Sequence, residues 1–396
     1  MSDGADVVVV GGGVIGLSTA RALVERGVDD VLVLERDVLA SGGTGRSSGV
    51  VRCHYGIRSL AAMAWRSLPV LADATEVLGE DSGYHNTGYL VGVGEADTGA
   101  LQATVAMQGE LGIEVDLIGA DDAGRLWPGA RFDDMAAFAY EPRGGYGDGH
   151  RTALAFAAAA RRGGARIRTH APVASLVEKG GAAVGVELAD GERIRADRVV
   201  VAAGPWSVAL AAGVGIDLPI RAQRAQIVMV ETGLDHDATV PVLSDLVSLQ
   251  YVRPDLAGTL LVGDSDHSDP EWADPDTFSE LTDDDQLVRS IGKFEHRFPG
   301  LPGAQLRSTY AGCYDVTPDY NPVISATPLP GLTLLAGFSG HGYKISPAVG
   351  ELAADLVLHG ASRYPGIDHH DFRLERFAEG ALLTSPNPYV GAGQMR

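Results

Sequence analysis

Cysteine is almost missing from this sequence. Cys53 and Cys313 are the only two in 396 residues, far apart and without Cys-x-x-Cys spacing, so neither a disulfide framework nor a zinc ribbon can be built from them. Such sparse cysteine fits a reducing compartment, and a cytoplasmic location is the expectation. Long apolar runs are also lacking: 18 uninterrupted apolar residues occur nowhere, so no membrane span is expected. Positive charge is scarce, with 31 Lys and Arg against 52 Asp and Glu and a formal net charge of -21. Nucleic acid and anionic membrane surfaces would be repelled and are not expected as partners. No internal repeat or low-complexity tract is present. The opening MSDGADVVVVGGG carries no basic stretch ahead of its valines, so it reads as a strand and not as a secretory signal.

What is present is a globular composition, 45% hydrophobic and 21% charged, long enough for two or three domains. The strongest local signal comes first. DVVVV, residues 6–10, suits a buried parallel strand and ends in G-G-G-V-I-G. Gly11, Gly13 and Gly16 fit G-x-G-x-x-G. The first glycine permits a tight turn, the second lets a pyrophosphate approach the backbone, and the third lets the next helix pack on the strand. Val14 and Ile15 open that helix, predicted over 14–26, whose N-terminal N–H groups would face phosphate. A second strand, VLVLE, ends at Glu35, where a carboxylate can accept ribose hydroxyls. Strand, glycines, helix, strand and acid in this order predict a dinucleotide site.

The choice between FAD and NAD turns on the residues just beyond Glu35 and Arg36. A second glycine-rich loop, S-G-G-T-G-R, brings Ser41, Gly43, Thr44, Gly45 and Arg46 close behind, where an NAD domain ordinarily continues with plain strand and helix units. The alternative use of this stretch is a solvent loop. Two distant segments favour FAD. ADRVVVAAGPWS ends a strand in small residues, Ala203 and Gly204 among them, ahead of Trp206. LTLLAGFSGHGYKISPAVGELAADLV reads as strand, glycine-rich turn and a helix starting near Ser346 and Pro347.

Six stretches in order carry a family resemblance: VVVVGGGVIGLSTARALVERG, LERDVLASGGTGRSSGVVR, GGYGDGHRTALAFAAAARRGGARI, RVVVAAGPWS, YAGCYDVTPDYNPVI and GFSGHGYKISPAVGELAADL. The chain resembles the D-amino-acid oxidase-like FAD-dependent oxidoreductases, in the branch with sarcosine oxidase, dimethylglycine dehydrogenase, glycine oxidase and the flavin subunits of proline-oxidising dehydrogenases. The resemblance implies an α/β fold, α+β overall. A Rossmann-like FAD-binding domain would be assembled from residues 1–80, 143–212 and 330–361, with a mixed-sheet substrate domain over 81–142 and 213–329 and a tail over 362–396. The tail has no dominant periodicity and would pack on the surface or fray. The resemblance adds Val173, Gly312, Gly337, Gly340, Gly342 and Tyr343 to the cofactor contacts, and counts His341 and Lys344 among them as well.

Flavin supplies the redox step, so the protein must place a substrate C–H over flavin N5 with the amine neutral; hydride transfer then gives an imine. The expected substrate is a small carboxylate-bearing amine, and oxygen or another electron acceptor reoxidises the flavin. A carboxylate calls for an arginine and a second cation. The resemblance matches Arg52 of VVRCHYG and Lys344 of SGHGYK to that pair. Arg52 has the alternative use of pairing with a protein carboxylate or with FAD. His341 could polarise the flavin or cap the backbone, and Tyr251 of LQYVRP could cover the substrate or serve the sheet as an ordinary tyrosine. Single histidines such as His54 and His85 carry no assignment.

Three departures from the family pattern matter. The cysteine that bonds flavin covalently in monomeric sarcosine oxidases would occupy the Gly312 slot, with Cys313 one position late, and GGTGRSSG holds no histidine. Noncovalent FAD is therefore expected. The lysine that promotes flavin reoxidation in those oxidases falls near Leu261, which favours a dehydrogenase with another acceptor. Two other classes share the motifs: an NAD(P)H-using flavin reductase or hydroxylase, against which the lack of a second strand-borne G-x-G-x-x-G counts, and a flavin-bearing subunit of a larger dehydrogenase. A homo-oligomer and a complex with a partner subunit both accommodate the chain.

Overall fold

The computed structural model describes residues 4–232, 240–255, 258–301, 303–362, 364 and 366–390. The valine run forms the strand Gly4–Val10, in which Val8 and Val9 are fully buried, as a strand covered on both faces requires. It sits between Val31–Leu34 and Arg193–Val201, parallel to both. Arg166–Arg168 extends the sheet beyond the former and Leu332–Ala336 beyond the latter, again in parallel, and Val323–Ala326 closes that edge antiparallel. A hairpin of Val173–Lys179 and Ala182–Leu188 branches from Arg193–Val201.

The helices Val14–Glu25, Gly149–Arg162 and Gly342–His359 pack with this sheet around Leu17, Leu23, Phe156, Val349 and Leu352. The last of them begins at Gly342, ahead of the expected start near Ser346. Pro347 thus lies inside the helix, where it has no N–H to offer the Tyr343 carbonyl. Ser346 supplies the missing bond: its hydroxyl donates to that carbonyl at 2.8 Å. The early start puts Tyr343 and Lys344 in the first helical turn.

A second sheet has the strand order Gln305–Val316, Arg221–Glu231, Thr259–Asp264, Gln250–Pro254, Val242–Asp245, Tyr89–Val93, Ala137–Glu141 and Asp116–Ile118. Its neighbours pair antiparallel apart from Val242–Asp245 with Tyr89–Val93. The helices Thr98–Glu110 and Asp284–Arg297 lie against it, and Phe294 and Phe298 join Trp127 in its core. The acidic segment leading into the second of these helices is largely exposed. The tail is anchored as far as residue 390. Phe372 and Arg376 are fully buried, Arg376 pairs with Asp319 at 2.8 Å, and Ser385 donates to the Gly56 carbonyl. Of the two alternatives the described part of the tail packs; residues 391–396 lie outside the described residues.

Candidate active site

The glycine turn closes the carboxyl end of the central strand. Gly11 has φ of 115°, and a Cβ there would stand 2.3 Å from the Ala202 carbonyl oxygen, so both conformation and space demand glycine. Gly13 caps the helix Val14–Glu25 without a side-chain bond, while the Val14 N–H donates to Thr44 Oγ1 at 3.1 Å and ties the second glycine loop to the helix N-terminus. Glu35 accepts from the Gly12 N–H at 2.7 Å and from the Asp37 N–H at 3.0 Å. A carboxylate so used still has lone pairs for a ligand.

A cavity of about 400 Å³ opens over this turn. Gly11, Gly13, Val14, Ile15, Glu35, Arg36, Ser41, Gly43, Thr44 and Arg46 wall it from the N-terminal motifs. Val173, Ala203, Gly204, Trp206, Gly312, Gly340, Gly342 and Tyr343 join them from distant segments. Three glycines expected in this wall lie outside it. Gly16 packs on the Gly11 carbonyl, Gly45 donates its N–H to the Ala40 carbonyl at 2.9 Å, and Gly337 donates to Asp315 at 2.6 Å. These three shape the loops around the cavity without facing it. The Arg36 guanidinium stacks 3.8 Å from the Trp206 ring, and both side chains donate to Asp276.

A smaller pocket of about 60 Å³ shares Ser48, Tyr314 and Gly340 with the first cavity. Arg52, Lys344, His341 and Tyr251 all line it, so the four candidate catalytic residues are brought together. His341 and Lys344, also expected among the cofactor contacts, face this pocket and are not in the wall of the larger one. Ser244, Ser265 and Tyr314 are lining residues that sequence reasoning missed. Strand alternation could have found Tyr314, which shares a face with Gly312. Tyr251 is hydrogen-bonded to Ser48 and Tyr314, and Leu261 is buried opposite Arg253 and Met229 in the same sheet.

The charges of the pocket are unusual. Arg21, Arg224, Arg253, Arg297 and Arg376 are buried and each pairs with a carboxylate. Arg52 is 7% exposed and Lys344 6%, yet neither forms an ion pair with a described residue. Arg52 instead donates to the His54 carbonyl and stacks 4.3 Å from the Tyr55 ring. Burial, and then the nearby Arg52, hold the Lys344 ammonium well below the usual lysine range. Burial likewise lowers His341, with Lys344 and Arg52 adding to it, so its imidazole is neutral. His341 Nε2 is buried without a partner among the described residues, and Nδ1 lies 3.3 Å from the Tyr55 hydroxyl.

Behind Arg52 runs a buried polar chain that no sequence motif announced. Glu141 accepts from the Cys53 N–H at 2.8 Å and from Gln108 Nε2 at 2.6 Å. Gln108 Oε1 lies 3.1 Å from His54 Nδ1, and Tyr389 from the tail meets His54 Nε2. With the Gln108 amide fixed by Glu141, His54 donates from Nδ1 and accepts at Nε2.

The family model described as FAD dependent oxidoreductase (DAO) matches residues 6–356. The chain belongs to the DAO family. It is 30% identical over 383 residues to 4-methylaminobutanoate oxidase (formaldehyde-forming) of Paenarthrobacter nicotinovorans, covering 94% of this chain and 45% of that protein. It is 27% identical over 402 residues to monomeric sarcosine oxidase of Bacillus sp. (strain B-0618), covering 97% and 98%. The crystal structure of L-proline dehydrogenase from P. horikoshii superposes with a TM-score of 0.87 at 26% identity, over 96% of this chain and 99% of that one. The chain spans less than half the length of the Paenarthrobacter oxidase and 43% of human dimethylglycine dehydrogenase.

The residues present fit the FAD of a DAO-family oxidoreductase. Gly11 and Gly13 of the glycine turn, the N-terminus of Val14–Glu25, which has no side-chain cap from Gly13, and the Glu35 carboxylate converge on one cavity. The glycine turn and helix end would hold the pyrophosphate, and Glu35 the ribose. When bound, FAD supplies two-electron oxidation. Among the described residues no helix is long and apolar enough to cross a membrane.

Proposed function

We propose that this chain oxidises the C–N bond of a small amino acid or N-alkyl amino acid, which is held by its carboxylate on Arg52 and Lys344. The observation that carries this reading is that neither of these two buried side chains forms an ion pair with a described carboxylate, in a pocket that adjoins the cofactor cavity. With no ion pair already made, both side chains can turn to a substrate carboxylate, which Arg52 can grip in bidentate form. The relatives' names fit: 4-methylaminobutanoate, sarcosine and L-proline each join an amine to a carboxylate.

The remaining wall suits a neutral amine. Among the described residues no Asp or Glu lines the small pocket, so nothing there favours an ammonium over the free amine. Serine and tyrosine hydroxyls orient the substrate, and the small volume favours a short side chain. Residues 1–80, 143–212 and 330–361 form the FAD-binding domain in this proposal, with 81–142 and 213–329 as the substrate domain. Noncovalent FAD and a cytoplasmic location belong to the same reading; the free thiols of Cys53 and Cys313 support the latter.

Anaerobic mixing with a panel of primary and secondary amino acids, following the visible flavin band, tests the proposal. Bleaching by carboxylate-bearing amines, and not by their esters or by NADH, is expected. Bleaching by NADH alone would overturn it. After air is admitted a slow return of the band is expected, since Leu261 offers hydrocarbon where the resemblance puts a lysine; prompt return would make the chain an oxidase.

A further inference from the structure

We propose that Lys344 is the base that takes the ammonium proton of the incoming substrate. The inference rests on the reading that this pocket receives an amine bearing a carboxylate, and it adds a role to a residue so far regarded as an anchor.

The geometry leaves Lys344 little reason to be charged before substrate arrives. Among the described residues its Nζ reaches only the Gly340 carbonyl, at 3.5 Å, and it stands in the first turn of the helix Gly342–His359, at the positive end of the helix dipole. Arg52 shares the pocket and is permanently protonated. The other titratable groups facing the pocket are Tyr251 from the strand Gln250–Pro254, Tyr314 from Gln305–Val316 and His341 from the preceding loop, with Tyr55 beside Arg52 and His341. Burial keeps the three tyrosines protonated and His341 unprotonated, so all four are neutral. Glu141 lies behind Arg52 and is not in the pocket wall. Arg52 is therefore the fixed charge that Lys344 meets, and it disfavours a second cation.

A substrate entering as a zwitterion reverses this balance. Its carboxylate settles between Arg52 and Lys344, and an adjacent negative charge makes the protonated lysine the favoured form. At the same time the substrate brings an ammonium, which must lose a proton before its C–H bond can be oxidised. One N–H bond of the ammonium breaks and one Nζ–H bond forms. The lone pair released stays on the substrate nitrogen, and the total charge of the pocket is unchanged. The site thereby converts an unreactive zwitterion into a neutral amine without drawing on solvent, and the Lys344 ammonium is left paired with the carboxylate. His341 Nε2 is the competing acceptor in the same pocket, but it is intrinsically the weaker base and is also disfavoured as a cation by Arg52.

Calorimetry on the flavin-loaded protein at pH 7.5, in two buffers of different ionisation enthalpy, counts the protons exchanged on binding. The probes are isobutyrate and 2-aminoisobutyrate, which match in shape; the second carries an ammonium but no α-hydrogen and so is not oxidised. Isobutyrate is expected to draw about one proton per site from solvent, and 2-aminoisobutyrate close to none, because it brings its own. In Lys344→Met the uptake with isobutyrate should vanish. The kcat/KM of that variant should fall about 100-fold near neutrality and recover toward the alkaline ionisation of the free substrate amine. Equal proton counts for the two ligands would overturn the inference, as would uptake that survives in Lys344→Met or disappears in His341→Gln. If neither carboxylate binds, the carboxylate reading itself fails and the inference falls with it; binding without a difference in proton count removes the inference alone.

Discussion

The Tyr389 hydroxyl stands 2.8 Å from Nε2 of His54, joining the tail to the residue whose carbonyl receives the Arg52 guanidinium. Both rings are buried and lie stacked 6.0 Å apart. The tail thus braces the arginine from behind through one imidazole. Tyr389→Phe keeps the ring and removes only the hydrogen bond. We expect KM for a carboxylate-bearing amine to rise about threefold to tenfold, the equivalent of ~1 kcal/mol for one buried hydrogen bond, while kcat changes less than about twofold. Steady-state kinetics check this; a kcat effect of the same size with KM unchanged would remove Tyr389 from any positioning role.

Arg52 and Arg297 are both buried, but they should respond to truncation to very different extents. Arg297 pairs with Asp134 at 2.7 Å and with the fully buried Asp245 at 2.8 Å, so Arg297→Met strips a buried carboxylate of its cation and should cost ~3–5 kcal/mol of stability. Arg52 forms no ion pair with a described carboxylate; burial opposes its charge, but Tyr55, Tyr89 and Glu141 together hold the guanidinium protonated, so Arg52→Met removes a cation on which no single buried carboxylate depends. Its melting temperature should fall far less than that of Arg297→Met, while carboxylate affinity falls by ~2–4 kcal/mol, on the order of 30-fold to 1,000-fold. Thermal melts with ligand titrations separate the two effects. A strongly destabilised Arg52→Met that still binds carboxylates would make Arg52 structural.

Much of the cofactor cavity was legible because its pieces are local. A β-branched run, three spaced glycines and an acid at the end of the next strand constrain the backbone within about one βαβ unit. The small pocket was legible only where a motif adjoined it, at Arg52 and at His341 and Lys344. Ser244 stands opposite Tyr251 where Val242–Asp245 pairs with Gln250–Pro254, but the meeting of that pair with Arg52 and Lys344 joins segments far apart in sequence that no local pattern encodes. His54 looked like any single histidine, since its importance comes from Gln108, Glu141 and Tyr389, which three separate elements supply. The true helix start is hidden for a local reason: Pro347 resembles a first-turn proline until the Ser346 hydroxyl is seen to take over the bond that proline cannot make.

FAD should leave the protein on denaturation. Gly312 lies on the strand face toward Arg46, where a Cβ would come within 2.9 Å of the Arg46 Cβ, so the slot has no room for a thiol without displacing that side chain. Cys313 pairs with Arg224 across the sheet, and burial pushes its thiol up to about 11, far from the thiolate that attachment chemistry needs. Acid precipitation should give a colourless pellet and a yellow supernatant. Flavin that stays with the pellet after washing in denaturant would show a covalent bond, and peptide mapping would then test Cys313.

The chain behind Arg52 makes a specific statement about pH. Burial pushes the Glu141 carboxyl up to about 7, against the opposing hydrogen bonds from Cys53 and Gln108, and burial followed by Arg52 pushes His54 down to about 3. Glu141 holds its proton more tightly folded than unfolded. Its contribution is therefore full below the ordinary carboxylate range and is lost as pH rises toward 7. His54 holds its proton less tightly when folded. Its contribution is full above about 6.5, the ordinary histidine value, and is lost as pH falls below that point. Between about pH 5 and 6 the two slopes oppose each other, each near 1.4 kcal/mol per pH unit at most. Glu141→Gln should therefore make stability, relative to the parent, rise with pH across that window, and His54→Gln should make it fall. Urea unfolding of the two variants and the parent at pH 5.0, 5.5 and 6.0 measures the difference. Parallel curves for all three would mean that neither group is held in the protonation state that its burial implies.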